Sequence, residues 1–164
     1  MWPEIPLAFL FLALLRSYRG WKSLIMVKIE IDRIGDGFHM EARNEIGAKI
    51  EMDASPDIGG TDKGMRPMQV LLAAMGGCST IDVISILKKQ RQEIKDIKVT
   101  VTGEREKDAI PSLYTEVHAH FRVYGDVDEE KVGKAVELSI NKYCSVAKTM
   151  EPTAKITYSF EIIK

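Results

Sequence analysis

A long apolar helix in the middle of the chain constrains the fold more than any other feature of the sequence. From Met68 to about Gln90, apolar and small residues recur at intervals of three and four, and other apolar residues cover most of the remaining helix surface. Pro67 suits the first turn, and the basic run 88–92 favours the C-terminal end of the helix dipole. A helix that is apolar nearly all round is expected to be a central, enclosed one.

The rest of the chain predicts strands and one further helix. Alternation of apolar and polar residues predicts strands at 27–32, 38–44, 48–54, 96–106, 114–125 and 155–164. Residues 126–150 predict a single long helix with Asp126 or Asp128 as its N-cap, and the Gly- and Pro-rich segment 55–67 predicts a mobile loop. The order β-β-β-α-β-β-α-β places helices after runs of antiparallel strands, which predicts an α+β fold.

Composition excludes several classes of function. A chain of 164 residues fits one domain, and a formal net charge of -1 gives no overall electrostatic attraction to nucleic acid or to a membrane surface. Two cysteines without zinc-type spacing predict buried thiols or a redox pair in a reducing, cytoplasmic compartment. The sequence contains no phosphate-binding loop, no hydrolase nucleophile elbow and no basic nucleic-acid stripe.

Residues 1–25 differ from the remainder of the chain. The apolar run 5–15 is too short to span a bilayer, which needs about 20 residues. Glu4 precedes that run and the basic residues follow it, the reverse of a secretory signal. We interpret residues 1–25 as a non-native upstream extension and residues 26–164 as the folded domain. A weak membrane-surface anchor is the alternative.

The two cysteines are the first candidates for chemistry. Cys78 lies in the apolar helix directly after Gly76 and Gly77, and Cys144 lies near the end of the second predicted helix. A free cysteine often serves only as a small buried hydrophobe. The paired glycines, however, permit close approach of another helix or of a ligand beside Cys78. Tight helix packing without chemistry remains the alternative.

Two segments carry a family resemblance. RPMQVLLAAMGGCSTIDVISILKK (66–89) and KYCSVAKTM (142–150), together with the order of elements, resemble the OsmC/Ohr family of osmotically induced and organic-hydroperoxide-resistance proteins. The resemblance covers about residues 27–164. It implies an intertwined homodimer in which antiparallel sheets wrap central helices, without a cofactor. It also implies that Cys78 is the peroxidatic nucleophile, that Cys144 resolves it as a disulfide, and that an external dithiol reduces that disulfide.

The family's active peroxidases hold the thiolate with an arginine that a glutamate orients, and this chain departs from that pattern. The glutamate follows the helix-initiating proline, whereas here Met68 and then Gln69 follow Pro67. Arg66 is our first choice for the arginine, Arg43 the second and Lys63 a weaker third. A cation is needed because Cys78 lies too far along its helix for the dipole to lower its pKa much. Asp82, one turn further on, would oppose ionisation if it faced the thiol.

The sequence thus yields two functional hypotheses. The first is a thiol-dependent peroxidase that reduces apolar organic hydroperoxides, with a substrate pocket formed by Met68, Gln69, Leu72, Met75 and residues of the partner subunit. The second is a non-catalytic module that binds a small apolar or thiol-reactive ligand at the dimer interface. His118 and His120, on one side of a strand, raise a weaker alternative of a shared metal, but their spacing indicates no third ligand.

Overall fold

The computed structural model describes residues 25–164, and it confirms the α+β class. The expectation for residues 1–25 therefore lies outside the described residues, apart from Ile25. The elements are, in order, β1 (Ile29–Arg33), β2 (Met40–Asn44), β3 (Lys49–Met52), a 3-10 turn (Pro56–Ile58), α1 (Pro67–Lys89), β4 (Asp96–Arg105), β5 (Tyr114–Tyr124), α2 (Glu129–Leu138), a π-helical turn (Ser139–Tyr143), α3 (Ser145–Met150) and β6 (Lys155–Ile163).

The strands form two three-stranded sheets. Sheet 1 has the order β1-β2-β3 with antiparallel neighbours, and sheet 2 has the order β4-β5-β6. β5 is antiparallel to β4 but parallel to β6, so the expectation of purely antiparallel sheets is wrong for this pair. The physical reason is the crossover through the intervening helices, which returns the chain to the end of the sheet where β5 begins.

The core lies between sheet 2 and the helices. Every second residue of β5 is buried, which gives the strand one apolar face: Val117, Ala119, Phe121 and Val123. α1 contributes Met75, Val83 and Leu87 to the same core, and α2 contributes its own buried stripe, Val132, Ala135 and Val136. These side chains place α1 against the inner face of sheet 2, with its middle turn beside the chain segment that follows α2.

Within one chain α1 is only half covered, whereas the sequence predicts an enclosed helix. Ala74, Gly77 and Ile81 lie on the uncovered side, and Ile81 is 67% exposed. By length and composition alone, α1 would also suit a membrane crossing. We interpret it as a core helix because Met75, Val83 and Leu87 are completely buried against the rest of the chain.

Sheet 1 also has an apolar face that its own chain leaves uncovered. Ile31 and Ile50 flank the buried Ala42 in one row across β1, β2 and β3, and Ile29 lies two residues along on the same face of β1. Ile29 and Ile31 are 54% and 57% exposed. A contiguous exposed apolar face of this kind indicates an interaction surface.

The second long helix of the sequence prediction is interrupted. α2 begins after Asp128, whose side chain accepts from the backbone N–H of Lys131, so Asp128 is the N-cap. The helix then widens into the π-helical turn and stops at Cys144, which has an extended backbone (φ -66, ψ 102). Cys144 therefore lies at a break between two helices and not inside one helix as predicted.

The segment 53–66 has a defined conformation where the sequence predicts a mobile loop. Asp53 is completely buried, and its carboxylate accepts hydrogen bonds from the Ala54, Thr61 and Lys63 backbone N–H groups and from the Thr61 hydroxyl. Burial alone would raise the pKa of Asp53, but the hydrogen bonds from Thr61, Lys63 and Ala54 lower it to about 2. Asp53 thus organises the loop that leads into α1.

Candidate active site

The interruption after α2 brings the Cys144 thiol onto the middle of α1. The Sγ of Cys144 lies 3.8 Å from the Met75 carbonyl oxygen, to which it donates, and accepts from the Ala147 backbone N–H at 3.4 Å. The Cys144 side chain is completely buried. Met75 lies one helical turn before Cys78 on α1. Tertiary structure therefore brings Cys144 to the part of α1 that carries Cys78.

The two cysteines are not joined by a disulfide in this structure, and their surroundings differ. Burial raises the pKa of Cys144 above its ordinary value, and the neighbouring Cys78 thiol acts in the same direction. The Ser79 hydroxyl and the Ala147 N–H oppose that rise in pKa, and of these two only the Ala147 N–H donates a hydrogen bond to the sulfur in this structure. Cys78 itself is half-buried, so it is the more accessible of the two free thiols. The pair therefore combines an accessible thiol with an enclosed one.

A small polar network joins the π-helical turn to α1 beside the thiols. The buried Ser139 hydroxyl lies 3.1 Å from the Ser79 carbonyl oxygen and 3.3 Å from a carboxylate oxygen of Asp82. The Cys144 backbone N–H in turn donates to the Ser139 carbonyl at 2.8 Å. Ser139 thus fixes the turn that presents Cys144, and Asp82 contacts the site through Ser139.

Sequence reasoning missed Ser79 and Ser139. One signal was present for Ser79, a hydroxyl that follows Cys78 directly in an otherwise apolar helix. For Ser139 the sequence carries no comparable signal, because its role depends on a contact with α1 60 residues earlier in the chain.

The two glycines before Cys78 lie in different surroundings. A Cβ added to Gly76 would lie 3.0 Å from the Val101 side chain of β4, so Gly76 permits close packing of α1 on sheet 2. A Cβ added to Gly77 would meet nothing within 4 Å in the described chain. Gly76 therefore has a packing role within the chain, whereas Gly77 opens onto the uncovered side of α1.

Two of the three predicted cations, Arg66 and Arg43, form ion pairs with neighbouring carboxylates. Arg66, the N-cap of α1, pairs with Asp62 and donates to the Gly64 carbonyl at 3.2 Å. Arg43 pairs across sheet 1 with Asp32 at 2.8 Å and with Glu30 at 3.4 Å. The backbone N–H of Lys63 donates to Asp53. The described contacts of Arg66 and Lys63 thus stabilise the segment 53–66, and those of Arg43 link strands of sheet 1.

Two of the four predicted substrate residues line a described cleft. The Gln69 side chain caps α1 by accepting from the Arg66 N–H at 2.9 Å, and the nine residues from Gln69 to Cys78, about two and a half helical turns, place these two residues on opposite sides of α1. Gln69 and Leu72 line a cleft of about 610 Å³ between α1 and β4. Met75 is completely buried beside Cys144, and the Met68 carbonyl accepts from the Tyr114 hydroxyl at 2.8 Å.

The two histidines of β5 take part in a line of hydrogen bonds with β6. His118 contacts the Thr157 and Ser159 hydroxyls at 2.8 Å each, and His120 contacts Ser159 at 2.8 Å and Glu161 at 3.5 Å. Within residues 25–164, no cluster of three or more His, Cys, Asp or Glu side chains has the arrangement of a metal site. A metal shared by these histidines therefore gains no support from neighbouring ligands.

Fold and site together define a class of protein. It is an α+β protein in which a buried cysteine, at the break of an interrupted helix, contacts the long helix that carries a second, half-buried cysteine. A model of the family described as "OsmC-like protein" matches residues 60–159. The chain belongs to the OsmC-like family.

Two relatives of known sequence or structure are similar to this chain over most of its length. Protein YhfA of Escherichia coli K12 is 42% identical over 129 residues, which cover 78% of this chain and 92% of that protein. The crystal structure of a hypothetical protein from Aquifex aeolicus VF5 is 33% identical with a TM-score of 0.71, covering 86% of this chain and all (100%) of that one.

A more distant structure extends the likeness of fold. The organic hydroperoxide resistance protein OhrB of Bacillus subtilis has a TM-score of 0.58 at 19% identity, covering 85% of this chain and 100% of that one. At that identity the likeness concerns the fold alone.

Proposed function

We propose that the protein is a thiol-dependent peroxidase that reduces organic hydroperoxides with Cys78 and Cys144. The observation that supports the proposal is the contact of the buried Cys144 thiol with the Met75 carbonyl, on the turn of α1 that leads to Cys78. An accessible nucleophile beside an enclosed second thiol is the arrangement that a peroxidatic and a resolving cysteine require.

The proposed reaction has three steps. The Cys78 thiolate attacks the terminal oxygen of the hydroperoxide, the O–O bond breaks, and the alkoxide leaves with a proton as the alcohol. The Cys144 thiolate then attacks the sulfur of the Cys78 sulfenic acid, so that a disulfide forms and hydroxide leaves as water. An external dithiol reduces the disulfide by two thiol–disulfide exchanges and becomes oxidised itself.

The cation that stabilises the Cys78 thiolate is part of the proposal. Arg66 remains our first candidate, and its ion pair with Asp62 would have to open before the guanidinium reaches the thiol. Arg43 is the second candidate and would have to leave Glu30 and Asp32. Asp62→Ala should therefore free Arg66 and speed Cys78 oxidation if Arg66 has this role.

We also propose that the protein acts as a homodimer in the cytoplasm. The uncovered side of α1 and the apolar face of sheet 1 are two exposed apolar surfaces on one chain, and a second copy would bury both. A dimer would enclose Cys78, which borders the uncovered side of α1, and would add partner residues to the substrate pocket. Analytical ultracentrifugation tests this assembly, and a monomer at micromolar concentration would contradict it.

The peroxidase proposal is tested by rapid mixing of the reduced protein with cumene hydroperoxide. Cys78→Ser should abolish peroxide consumption, whereas Cys144→Ser should leave Cys78 able to oxidise but prone to further oxidation. Mass spectrometry should find a Cys78–Cys144 disulfide in the unmutated protein. Cys78 that stays reduced under excess hydroperoxide would overturn the proposal.

A second function is favoured by the engagement of both arginines by carboxylates and by the open cleft between α1 and β4. On this alternative, the protein is a non-catalytic module that binds a small apolar or thiol-reactive ligand, and its cysteines are structural or redox-sensing. Stoichiometric oxidation of the thiols without turnover, when hydroperoxide and dithiol are both in excess, would favour the binding module over the enzyme.

A further inference from the structure

Ser79 behaves unlike the other hydroxyl side chains of α1. Thr80 donates to the Gly76 carbonyl and Ser85 donates to the Ile81 carbonyl, each at 2.7 Å and each four residues back along the helix. This is the ordinary bond of a hydroxyl inside a helix. Ser79 is completely buried, yet its hydroxyl has no hydrogen-bond partner among the described residues.

The carbonyl that Ser79 would ordinarily use is occupied. Four residues before Ser79 lies Met75, and its carbonyl oxygen accepts from the Cys144 thiol. Ser79 follows the Met75 carbonyl by one helical turn, so its side chain lies on the part of α1 that the Cys144 sulfur contacts. The Ser79 hydroxyl also acts to lower the pKa of Cys144 against the larger, opposite effect of burial. A buried hydroxyl without a hydrogen-bond partner is energetically unfavourable and needs an explanation. The explanation favoured by this geometry is a second state of the site in which the hydroxyl gains a partner.

We propose that Ser79 is a catalytic residue of the resolving step, because its hydroxyl donates to the sulfur of Cys144 when that sulfur becomes a thiolate. In the thiol state, Cys144 uses its own proton on the Met75 carbonyl. Once that proton leaves, the sulfur accepts from two donors, the Ser79 hydroxyl and the Ala147 N–H. The inference rests on the proposed function in assigning the resolving role to Cys144.

The step that Ser79 assists is the closing of the disulfide. The Cys144 thiolate attacks the sulfur of an oxidised Cys78, the S–S bond forms, and the group on Cys78 leaves with its electron pair. That group is hydroxide, released as water, when Cys78 is a sulfenic acid. It is the hydrazine anion when Cys78 carries an adduct of diamide, an azo compound that accepts two electrons and two protons in total from two thiols.

Diamide allows a test that is independent of peroxide. The reduced full chain and its Ser79→Ala variant are mixed with diamide across a pH series, and closing of the disulfide is followed by acid quenching and mass spectrometry. Ser85→Ala is the matched control, since it removes a hydroxyl from the same helix at an exposed position away from the thiols.

The expected signature separates an electronic role from a structural one. Ser79→Ala should slow closing about tenfold near neutral pH, the equivalent of about one unit in the thiol pKa, and the difference should vanish at alkaline pH where the thiolate forms without help. Because the Ser79 hydroxyl has no partner in the reduced chain, the thermal unfolding midpoint of the reduced variant should stay the same or rise. Ser85→Ala should close at the unmutated rate.

Other charged groups near Cys144 stay constant across these variants. Cys78 contacts the sulfur from α1, and Asp82 approaches it through Ser139. Lys142 and Lys148 are exposed and engage Tyr143 and Glu151. None of them is altered, so a shift of the pH profile in Ser79→Ala reports the lost hydroxyl.

Three results would overturn the role of Ser79: equal closing rates at every pH, an equal slowing at every pH, or failure of the two thiols to close with diamide in the unmutated protein. Oxidation by a hydroperoxide is the separate experiment that tests the peroxidase proposal independently of the role of Ser79. If diamide closing depends on Ser79 while hydroperoxide leaves Cys78 reduced, the role of Ser79 stands and the peroxidase proposal fails.

Discussion

Alanine at each of the two adjacent glycines provides a quantitative test of how α1 packs. In a helix interior alanine is favoured over glycine by about 1 kcal/mol, so both substitutions gain the same local stability. They differ in what the new methyl meets. At Gly76 it would lie 3.0 Å from Val101 on β4, closer than comfortable contact, and overpacking of this kind costs about 1–3 kcal/mol. Gly76→Ala is therefore expected to lie between unchanged and about 2 kcal/mol less stable.

Gly77→Ala is expected to change the stability of a single chain and the stability of the proposed dimer in different ways. Within the described chain the added methyl has no neighbour within 4 Å, so an isolated chain should gain up to about 1 kcal/mol. If the central helices of two subunits cross at Gly77, the methyl separates them at a cost of about 1–3 kcal/mol, so the dimer should lie between unchanged and about 2 kcal/mol less stable after the propensity gain.

Urea denaturation at several protein concentrations gives the free energy of unfolding of both variants. The dimer dissociation constants are measured beside it. Gly77→Ala that is stabilised at every concentration, with unchanged Cys78 reactivity toward a thiol reagent, would refute a helix crossing at this residue. A Gly76→Ala protein that gains the full helix propensity would refute the tight contact with Val101.

Two further predictions concern the approach to α1. The folded-state pKa of Asp53 is lowered to about 2 from an ordinary 3.8, so its contribution to stability is present above pH 3.8 and is lost as the pH falls through about 2. Asp53→Asn should be less stable at neutral pH and should show a weaker dependence of stability on pH in that acid range, and an unchanged acid-unfolding curve would contradict this. Tyr114→Phe removes the hydrogen bond to the Met68 carbonyl and should cost about 0.5–1.5 kcal/mol in chemical denaturation. A variant as stable as the unmutated protein would show that water replaces that bond without loss.

Local pattern in the sequence was sufficient for much of the fold. Alternation in β5 predicts the strand and its buried face, and Pro67 with the apolar run behind it predicts where α1 begins. Both features depend on residues a few positions apart, which periodicity records directly. The motifs around Cys78 and Cys144 likewise predict the family, and the family model that matches residues 60–159 confirms it.

Only tertiary structure decided how the site is assembled. The sequence around Cys144 reads as continuous helix, yet hydrogen bonds from Ser139 and Cys144 to carbonyls of α1, 60 and 69 residues away, accompany the interruption that turns the thiol toward α1. The same contacts leave Ser79 without its ordinary acceptor. Hydrophobic periodicity reports which face of an element is buried, but it carries no record of which distant carbonyl a buried hydroxyl or thiol will meet. For that reason the sequence could single out the two cysteines as candidates, but it could not predict the contacts that Ser79 and Ser139 make or lack.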